Sequence, residues 1–336
     1  MTATILEGAA AAAVILAETA AGVGLLAAAG RKAILAAIQA NRDPGSDWYA
    51  AAQAKLAGAN GVEHRLIRLP PDAPGADLLA SVRQVSADPA LSGLIILTPL
   101  PAGASHLSLV EAMDPAKDAE GLHPANLGRL LVAGRADPAP CTAMAALTLI
   151  KTAIGNLAGK RCLVIGRSAA VGKPLALLLL SENATVTIAH TRSDLGFAMR
   201  EAEVIVAAAG AAGSRWRAYE ARWRAWRESG GDRPEPPDIE PLVRADMVRR
   251  GAIVVDVGDN YVPAGLGADG GPLLDAGGKP DMRYAGDVDF AKVKDIAGFI
   301  TRPKGGVGPL TNAFLLRNVV RSALAANGIA IPGSGK

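Results

Sequence analysis

The chain has 336 residues, half of them apolar, which is enough for a soluble globular protein with two domains that each bury a core. Its 35 basic and 32 acidic side chains leave a formal charge of +3, too close to balance to indicate a nucleic-acid partner. Two cysteines and four scattered histidines give neither a disulfide framework nor a zinc-ligand spacing, so composition predicts a reducing compartment and no metal site.

The first long apolar stretch, residues 8–30, has the composition of a helix rather than of a membrane anchor. No Lys or Arg precedes Arg31, Glu18 lies in the middle of the stretch, and alanine is the best helix former but a weak membrane residue. We predict an alanine-rich helix packed on a sheet, in a cytoplasmic protein with no membrane partner.

Strands and helices then alternate, as is typical of a parallel α/β sheet. Strands are predicted at 33–40, 64–68, 93–101, 204–208 and 252–257, and helices at 47–59 with Ser46 as N-cap, 76–87, 143–157 and 311–326. The last helix should return to the N-terminal part of the chain. Because ligands bind beyond the carboxyl ends of such strands, active groups are expected after Ile38, around Thr98-Pro99-Leu100 and after Val164-Ile165.

Residues 162–192 indicate a dinucleotide-binding unit of strand, glycine turn, helix and strand. CLVIG is typical of a buried parallel strand, and Pro174 fits the first turn of the helix that follows. Gly166 and Gly172 are spaced G-x5-G, not G-x-G-x-x-G, but they would still let the backbone approach a pyrophosphate at the helix N-terminus. The spacing alone also fits a strand–turn–helix without a ligand.

Polar side chains at the ends of both strands favour NADP. Arg167 and Ser168 add a guanidinium and a hydroxyl where the first strand ends. The second strand ends at His190, Thr191 and Arg192, where a Rossmann unit distinguishes the adenosine ribose. Thr191 and Arg192 suit a 2′-phosphate, whereas an acidic residue would favour a free hydroxyl. The predicted cofactor is therefore NADP, with NAD as the alternative.

One segment, at about 212–243, does not fit the alternation of strands and helices. Trp216, Tyr219, Trp223 and Trp226 fall at helical spacing and form one aromatic stripe surrounded by arginines. The stripe fits a surface insertion that packs on its own domain or on a subunit neighbour. A helix that binds a partner protein is the alternative.

Six motifs in order resemble the bifunctional methylenetetrahydrofolate dehydrogenase/cyclohydrolase family. They are DPGSDWY at 43–49, KDAEGLHPANLGRL at 117–130, PCT at 140–142, GRSAAVGKPLA at 166–176, GDVDF at 286–290 and GGVGPLTNAFLLRN at 305–318. The resemblance implies two α/β domains with a cleft between them, usually in a homodimer. A three-layer folate-binding catalytic domain would comprise 1–148 plus 311–336, and a Rossmann-like NAD(P)-binding domain would comprise 149–310.

The same resemblance implies which residues contact the two ligands. Tyr49 would stack on the pterin ring of a tetrahydrofolate one-carbon derivative. The implied substrate-binding residues are Tyr49, Leu97, Thr98, Pro99, Glu120, Gly305, Gly306 and Pro309. The implied cofactor-binding residues are Thr142, Gly166, Arg167, Ser168, Gly172, Pro174, His190, Thr191, Arg192 and Asp259. Asp259 replaces a typically aliphatic residue beside the cofactor, and a carboxylate there could alter the choice of cofactor.

Three further departures from the family pattern fall in one constellation. The lysine four residues after the tyrosine, which the family uses as general acid/base, is Gln53, and Lys55 lies roughly 200° further around a helix, on another face. The glutamine that would bond that lysine is Leu97. The second aspartate of KDxDG, a pterin-holding carboxylate, is Glu120.

These departures separate the two halves of the family's chemistry. Hydride transfer from the methylene bridge depends mostly on positioning, because the methenyl cation is stabilised by its own two nitrogens. Hydrolysis of that cation needs proton transfer, which contributes typically 10²–10⁴-fold, and Gln53 cannot titrate. We therefore predict NADP-dependent oxidation of methylenetetrahydrofolate to methenyltetrahydrofolate, with cyclohydrolase activity weak or lost.

Lys304 adds an alternative, since Thr301-Arg302-Pro303-Lys304 replaces the family's Thr-Pro-Val-Pro. Lys304 could replace the missing ammonium, meet the glutamate tail of folate, or be solvated. The candidate catalytic residues are therefore Tyr49, Gln53, Glu120 and Lys304. Three other functions stay open: the full bifunctional enzyme, a dehydrogenase for a related pterin, and a non-catalytic folate-binding homologue.

Overall fold

The computed structural model describes residues 2–330 and divides them into two compact units. The N-terminal unit comprises residues 9–145 and 309–330, and the Rossmann unit comprises residues 2–8 and 146–308. In chain order the strands are β1 (Thr4–Leu6), β2 (Ile34–Gln39), β3 (Glu63–Arg68), β4 (Gly93–Leu97), β5 (Arg161–Ile165), β6 (Thr185–Ala189), β7 (Val204–Ala207), β8 (Ile253–Asp256), β9 (Asn260–Pro263), β10 (Met282–Ala285) and β11 (Phe299–Thr301).

The helices confirm the alternating pattern. They are α1 (Gly8–Ala28), α2 (Pro44–Ala59), α3 (Gly75–Ser86), α4 (His106–Glu111), α5 (Pro124–Ala133), α6 (Cys141–Ile154), α7 (Gly172–Ser181), α8 (Leu195–Glu201), α9 (Ala211–Ser229), α10 (Phe290–Val293) and α11 (Val307–Ala326). The prediction of Ser46 as N-cap was wrong. Helix α2 begins earlier, at Pro44, because the Asp43 side chain accepts from the Ser46 backbone N–H at 2.9 Å and Pro44 fits the first helical position.

The N-terminal unit is built on a three-stranded parallel sheet in the order β3-β2-β4. Strands β2 and β4 are buried along their whole length, as expected of apolar parallel strands covered on both faces. One face packs on α3 and α4, through a cluster that includes Ile38, Leu78, Leu94 and Leu109. Helix α11 belongs to this unit, as predicted.

Helix α1 forms as predicted and buries one face. Ala12, Thr19 and Leu26 are buried on it, and a Cβ on Gly22 would lie 2.6 Å from Val320 Cγ1 of α11, so glycine allows the two helices to approach closely. Within the described residues, α1 is the one helix long and apolar enough to cross a membrane by length and composition, a test that core helices of soluble proteins also pass.

The Rossmann unit contains a six-stranded parallel sheet in the order β1-β11-β8-β7-β5-β6. Strand order reverses at β5, with β6 on one side and β7 on the other, which makes the carboxyl end of β5 the switch point of a doubly wound sheet. The predicted boundary of 1–148 is wrong at its start, because Thr4–Leu6 pairs in parallel with Phe299–Thr301 and so belongs to this sheet. Strand β1 has only three residues, which is too short for a periodic pattern to indicate a strand in the sequence.

The aromatic stripe of the predicted insertion packs on its own unit. Trp216 and Tyr219 of α9 are buried against Val262 of the β9–β10 hairpin, with Met282 at the edge of the cluster. This packing favours the interpretation of a surface insertion over that of a partner-binding helix, because its largest apolar side chains already have contacts.

Candidate active site

Helix α2 positions Tyr49 and Gln53 one turn apart in the N-terminal unit. The Tyr49 hydroxyl donates to Asn312 Oδ1 of α11 at 3.3 Å. Burial and then the Glu120 carboxyl group raise the pKa of Tyr49, while the Gln53 amide nearby acts in the opposite direction. Tyr49 is therefore a neutral hydrogen-bonding phenol at physiological pH, held between two elements of this unit.

Gln53 is a buried amide without protein partners. Its side chain is 3% exposed, and although it approaches Tyr49, neither Nε2 nor Oε1 is in hydrogen-bonding geometry with any residue of 2–330. Leaving such a group unpaired costs about 1–3 kcal/mol, so a buried orphan amide indicates a ligand that completes it. Lys55 is exposed, on another face of α2, as the helical phase predicts.

Leu97 ends strand β4 and is buried, whereas Thr98 and Pro99, which follow it, are exposed. The Pro99 carbonyl accepts from Asn41 Nδ2 at 2.9 Å, which joins the turns after two neighbouring strands. At the carboxyl edge of this sheet, the turns after β2 and β4 are therefore in contact, as predicted.

Sequence reasoning missed Gln39, which lies level with Leu97 on the neighbouring strand β2. Its Nε2 donates to Ser46 Oγ at 3.2 Å and to Asp47 Oδ1 at 3.0 Å, but its buried Oε1 has no partner among the described residues. A glutamine inside an apolar strand was the available signal. An unpaired amide oxygen of Gln39 thus lies at the same sheet edge as Leu97, the position where the family resemblance implies a glutamine.

Glu120 lies in a loop that is held by hydrogen bonds to Asp118. The Asp118 carboxylate accepts from the backbone N–H groups of Gly121 at 3.0 Å and His123 at 2.6 Å, and from Asn126 Nδ2 at 3.0 Å. Burial, followed by the Asp118 charge, raises the pKa of Glu120 to about 7. The Glu120 carboxyl group is therefore a candidate acceptor for a ligand, with a charge that changes near neutral pH.

Two more predicted residues lie in the N-terminal unit. Thr142 is in the first turn of α6, next to Cys141, whose thiol donates to the Ala119 carbonyl at 3.3 Å. Pro309 is in the first turn of α11. Burial raises the pKa of Cys141 well above its ordinary value, so this thiol is inert.

The glycine turn of the Rossmann unit lies at the switch point. Gly166 has φ +135°, and a Cβ there would lie 2.3 Å from the Ala208 carbonyl oxygen, while a Cβ on Gly172 would lie 2.1 Å from the Gly166 carbonyl oxygen. The two glycines therefore let the turn close on itself and on the end of β7. Ser168 Oγ accepts from the Val171 N–H at 3.1 Å, which shapes the turn at the start of α7.

The other residues of the glycine turn differ in exposure. Arg167 is exposed beside the N-terminus of α7, and Pro174 is buried as the third residue of that helix. The N-terminal N–H groups of α7, with the Arg167 guanidinium, fit the charge of a pyrophosphate. Pro174 helps to form the turn by its backbone rather than by an exposed side chain.

The turn after β6 holds the three residues expected to select the cofactor. His190 Nδ1 accepts from the Arg192 N–H at 3.1 Å, and the His190 N–H donates to Ser193 Oγ at 3.1 Å. Thr191 and Arg192 are exposed. Their side chains are thus available to a ligand next to the glycine turn.

Asp259 and Lys304 lie on turns after the neighbouring strands β8 and β11. Burial raises the pKa of Asp259, and the Arg217 guanidinium of α9 opposes that shift. Lys304 is exposed. Gly305 has φ +87°, and a Cβ on Gly306 would lie 2.4 Å from the Arg302 carbonyl oxygen, so this turn also depends on glycine. Lys304, Gly305 and Gly306 thus lie on one turn of the Rossmann unit.

In the described part of the chain, no group of three His, Cys, Asp or Glu side chains could hold a metal ion. A glycine turn at the switch point of a parallel sheet in one unit, together with orphan buried amides in the other unit, defines a dinucleotide-binding enzyme with a separate substrate domain. The profile of the tetrahydrofolate dehydrogenase/cyclohydrolase catalytic domain matches residues 6–120, and that of the family's NAD(P)-binding domain matches 140–214 and 239–327. The chain therefore belongs to the tetrahydrofolate dehydrogenase/cyclohydrolase family.

Individual relatives agree with this assignment. The Bifunctional protein FolD of Rhodopseudomonas palustris (strain HaA2) is 41% identical over 337 residues, covering 99% of both chains. The crystal structure of the bifunctional enzyme FolD from Campylobacter jejuni is 31% identical, with a TM-score of 0.77, and covers 96% of this chain and 99% of that one. The Trypanosoma brucei enzyme, complexed with NADP cofactor and inhibitor, is 28% identical with a TM-score of 0.80, covering 98% and 100%.

The predicted family, the two-domain α/β fold class and the assignment as an NAD(P)-dependent enzyme are confirmed. The NAD(P)-binding profile skips residues 215–238, most of the segment predicted as an insertion. That segment, which contains most of α9 and the loop after it, is thus an addition to the common domain.

Proposed function

We propose that the chain oxidises methylenetetrahydrofolate to methenyltetrahydrofolate with NADP⁺ and has weak or no cyclohydrolase activity. The observation that carries the proposal is the buried, unpartnered amide of Gln53 at the position where the family resemblance implies a lysine. An amide can bind a pterin edge because it offers one donor group and one acceptor. It cannot carry a proton between groups.

The residues around Gln53 support binding of a pterin. Tyr49 presents a neutral phenol, and Glu120 presents a carboxyl group whose pKa is raised to about 7. A folate pterin carries an amino group and ring nitrogens that donate to a carboxylate, and carbonyl and ring atoms that pair with an amide. Tyr49, Gln53 and Glu120 would therefore bind and orient the ring that holds the one-carbon unit, with Thr98 and Pro99 beside it.

For dehydrogenation, these side chains need mainly to orient the substrate. The nicotinamide cofactor supplies the hydride acceptor. Holding two reactants in a productive geometry accounts for much of such a step, and the cation formed is stabilised by its own nitrogens. Gln53 and Leu97 do not impair this half of the chemistry.

Hydrolysis of the methenyl cation requires a different set of groups. A water must lose a proton and a ring nitrogen must gain one, and a positioned acid/base contributes typically 10²–10⁴-fold. Gln53 does not titrate, and Leu97 is apolar where it would have to orient a proton carrier. The cyclohydrolase reaction would thus lose most of its side-chain assistance.

NADP is the proposed cofactor because of the turn after β6. Thr191 and Arg192 are exposed there, and a guanidinium with a hydroxyl binds a 2′-phosphate through charge-assisted hydrogen bonds. Gly166, Gly172 and Ser168 would shape the pyrophosphate site, with Arg167 as its cation. Asp259, on the turn after β8, would lie towards the nicotinamide half of the domain.

A fully bifunctional enzyme is the second candidate, and the name of the 41% identical relative, Bifunctional protein FolD, favours it. In that case Lys304, exposed on its turn, or a bound water would replace the missing ammonium. The test is an absorbance time course of purified protein with methylenetetrahydrofolate and NADP⁺. Methenyl product should accumulate; formyl product released as fast as the cofactor is reduced would contradict the proposal.

Two expectations about the whole protein accompany this function. A cytoplasmic location fits the buried face of α1 and the free thiols of Cys141 and Cys162, and a homodimer fits the family resemblance. Light scattering of the purified chain would measure the subunit number. A monomer that retains full activity would contradict the homodimer.

A further inference from the structure

The carboxyl edge of the Rossmann sheet is tied together by side chains buried beneath it. Asp256 accepts from the Gly258 N–H at 2.9 Å and the Asp287 N–H at 3.0 Å, and Asp287 accepts from the Ala209 N–H at 2.7 Å and the Gly210 N–H at 2.9 Å. These bonds fix the turns after β7, β8 and β10. The turn of residues 302–306, after β11, is attached separately: the Gly305 carbonyl accepts from the Gly8 N–H at 3.2 Å, and Arg302 Nε donates to Glu7 Oε1 at 3.3 Å.

Tyr284 of the β9–β10 hairpin supplies a further attachment, which joins this turn to the turn after β8. Its hydroxyl lies 3.2 Å from the Pro303 carbonyl oxygen and 3.5 Å from the Gly258 carbonyl oxygen, so one proton is shared between the turns after β8 and β11. The first turn also carries Asp259, and the second also carries Lys304. Burial and then the neighbouring Asp259 raise the pKa of Tyr284, so the hydroxyl keeps its proton and remains a donor.

The hairpin is in turn supported by α9. The Tyr219 hydroxyl donates to the Gly270 carbonyl at 2.9 Å, and Trp223 Nε1 donates to the Asp269 carbonyl at 3.0 Å, both in the hairpin loop. A Cβ on Gly271 would lie 2.4 Å from the Trp223 ring, so the loop backbone lies directly on the indole. Residues 215–238, outside the family profile, therefore pack on the hairpin that carries Tyr284.

The position of these turns relates Tyr284 to the cofactor. In a doubly wound sheet the first half, here β5-α7-β6, takes the adenosine part of the dinucleotide, and the other half, here β7, β8 and β11, takes the nicotinamide part. We propose that Tyr284 is a positioning residue for the nicotinamide half of the site, and that the inserted helix α9 holds the hairpin that presents it. This inference rests on the proposed dehydrogenase function.

The chain offers a matched control for Tyr284. Tyr261 is its partner across the hairpin, with ring centroids 5.9 Å apart, and the residue is 60% exposed. Tyr284→Phe and Tyr261→Phe each remove one hydroxyl from the same hairpin. Only the first removes a bond to the two turns.

The experiment measures NADP⁺ and its adenosine fragment separately. In Tyr284→Phe the KM for NADP⁺ should rise roughly three- to tenfold, as expected for one lost hydrogen bond, while the Kd of 2′,5′-ADP stays unchanged. Tyr261→Phe should match wild type in both. Tyr219→Phe, which frees the hairpin loop, should raise the KM for NADP⁺ roughly two- to threefold.

Hydrogen exchange of the ligand-free protein tests the same point without catalysis. Amides of residues 257–259, 302 and 304–306 should exchange faster in Tyr284→Phe than in wild type and Tyr261→Phe. Unchanged exchange, or equal weakening of NADP⁺ and 2′,5′-ADP, would overturn the positioning role. An unchanged KM in Tyr219→Phe would overturn the role of α9. A wild-type chain that fails to reduce NADP⁺ would instead contradict the proposed function, and the exchange result would still decide the inference.

Discussion

The Tyr49 hydroxyl donates to Oδ1 of Asn312, which lies 263 residues later in the chain, at 3.3 Å. This bond joins the start of α2 to the start of α11 inside the N-terminal unit, and it aims the ring that we expect to stack on the pterin. Asn312 lies within the motif at 305–318, but neither the spacing of the motifs nor the family resemblance assigned it a role. Its signal was a polar residue near the start of α11 within that motif.

Asn312→Val should therefore impair substrate binding more than catalysis. Without the acceptor, the Tyr49 ring can change its orientation, and the KM for methylenetetrahydrofolate should rise roughly three- to tenfold with a smaller change in kcat. Steady-state kinetics at saturating NADP⁺ measure this. In a cycle with Tyr49→Phe the two effects should not add, because both remove the same bond; strictly additive effects would show that Asn312 acts independently.

Gln53→Lys should restore hydrolysis. A lysine there can carry a proton, so the rate of methenyl hydrolysis should rise by about 10²–10⁴-fold, while the dehydrogenase rate changes little. Combining it with Leu97→Gln should increase the gain, since an amide at 97 would orient the ammonium. The measurement is the decay of methenyl absorbance without cofactor.

Lys55→Gln is the matched control for this experiment, because Lys55 is exposed on another face of the same helix. It should leave both rates unchanged. A wild-type chain that already hydrolyses methenyltetrahydrofolate rapidly, with no gain in Gln53→Lys, would show that Lys304 or a water fills the role of the missing lysine.

Glu120→Gln should remove a pH dependence near neutrality. The pKa of Glu120 is raised to about 7, so the carboxylate that accepts from the pterin forms as pH rises through that value. In wild type kcat/KM should increase with pH around 7, since this quantity reports on the free enzyme. The variant should have a lower kcat/KM without this increase; an inflection that persists would assign it to another group.

The same carboxyl group should make the folded protein less stable as pH rises, whereas kcat/KM increases. Its folded pKa lies above the ordinary 4.5, so its contribution to stability is complete below that value and is lost as pH rises to about 7. The loss is on the order of 3 kcal/mol. Denaturant titrations should therefore show the variant gaining stability relative to wild type between about pH 5 and pH 8.

Sequence reasoning located the parts of the fold that repeat a local pattern. The glycine turn, the alternation of strands and helices and the phase that separates Gln53 from Lys55 each depend on a few neighbouring residues. Strand β1, in contrast, has three residues and is defined by its pairing with β11, almost 300 residues away. Gln39 and Asn312 were missed for the same reason, since a polar side chain becomes part of a site through partners that periodicity does not show.

Arg192→Ala should lower the preference for NADP⁺. Loss of charge-assisted bonds to a 2′-phosphate should raise the KM for NADP⁺ roughly 10- to 100-fold and leave the KM for NAD⁺ unchanged. Arg167→Ala is the comparison, because a pyrophosphate contact is common to both cofactors and should weaken both equally. If Arg192→Ala weakened the binding of NADP⁺ and NAD⁺ equally, the turn after β6 would not contact the 2′-phosphate.

Gly172→Ala should disrupt the cofactor turn although alanine favours helices. A methyl group there would lie 2.1 Å from the Gly166 carbonyl oxygen and 2.9 Å from the Arg167 nitrogen, both backbone atoms that cannot rotate away. We expect a loss of roughly 1–3 kcal/mol in unfolding free energy and weaker NADP⁺ binding, measured by thermal unfolding and by fluorescence titration. Gly128→Ala, in α5 with nothing within 4 Å of the added methyl, should instead stabilise the protein by about 0.4–1 kcal/mol. If Gly172→Ala unfolded and bound NADP⁺ like wild type, the close contact of the two glycines would not be what shapes this turn.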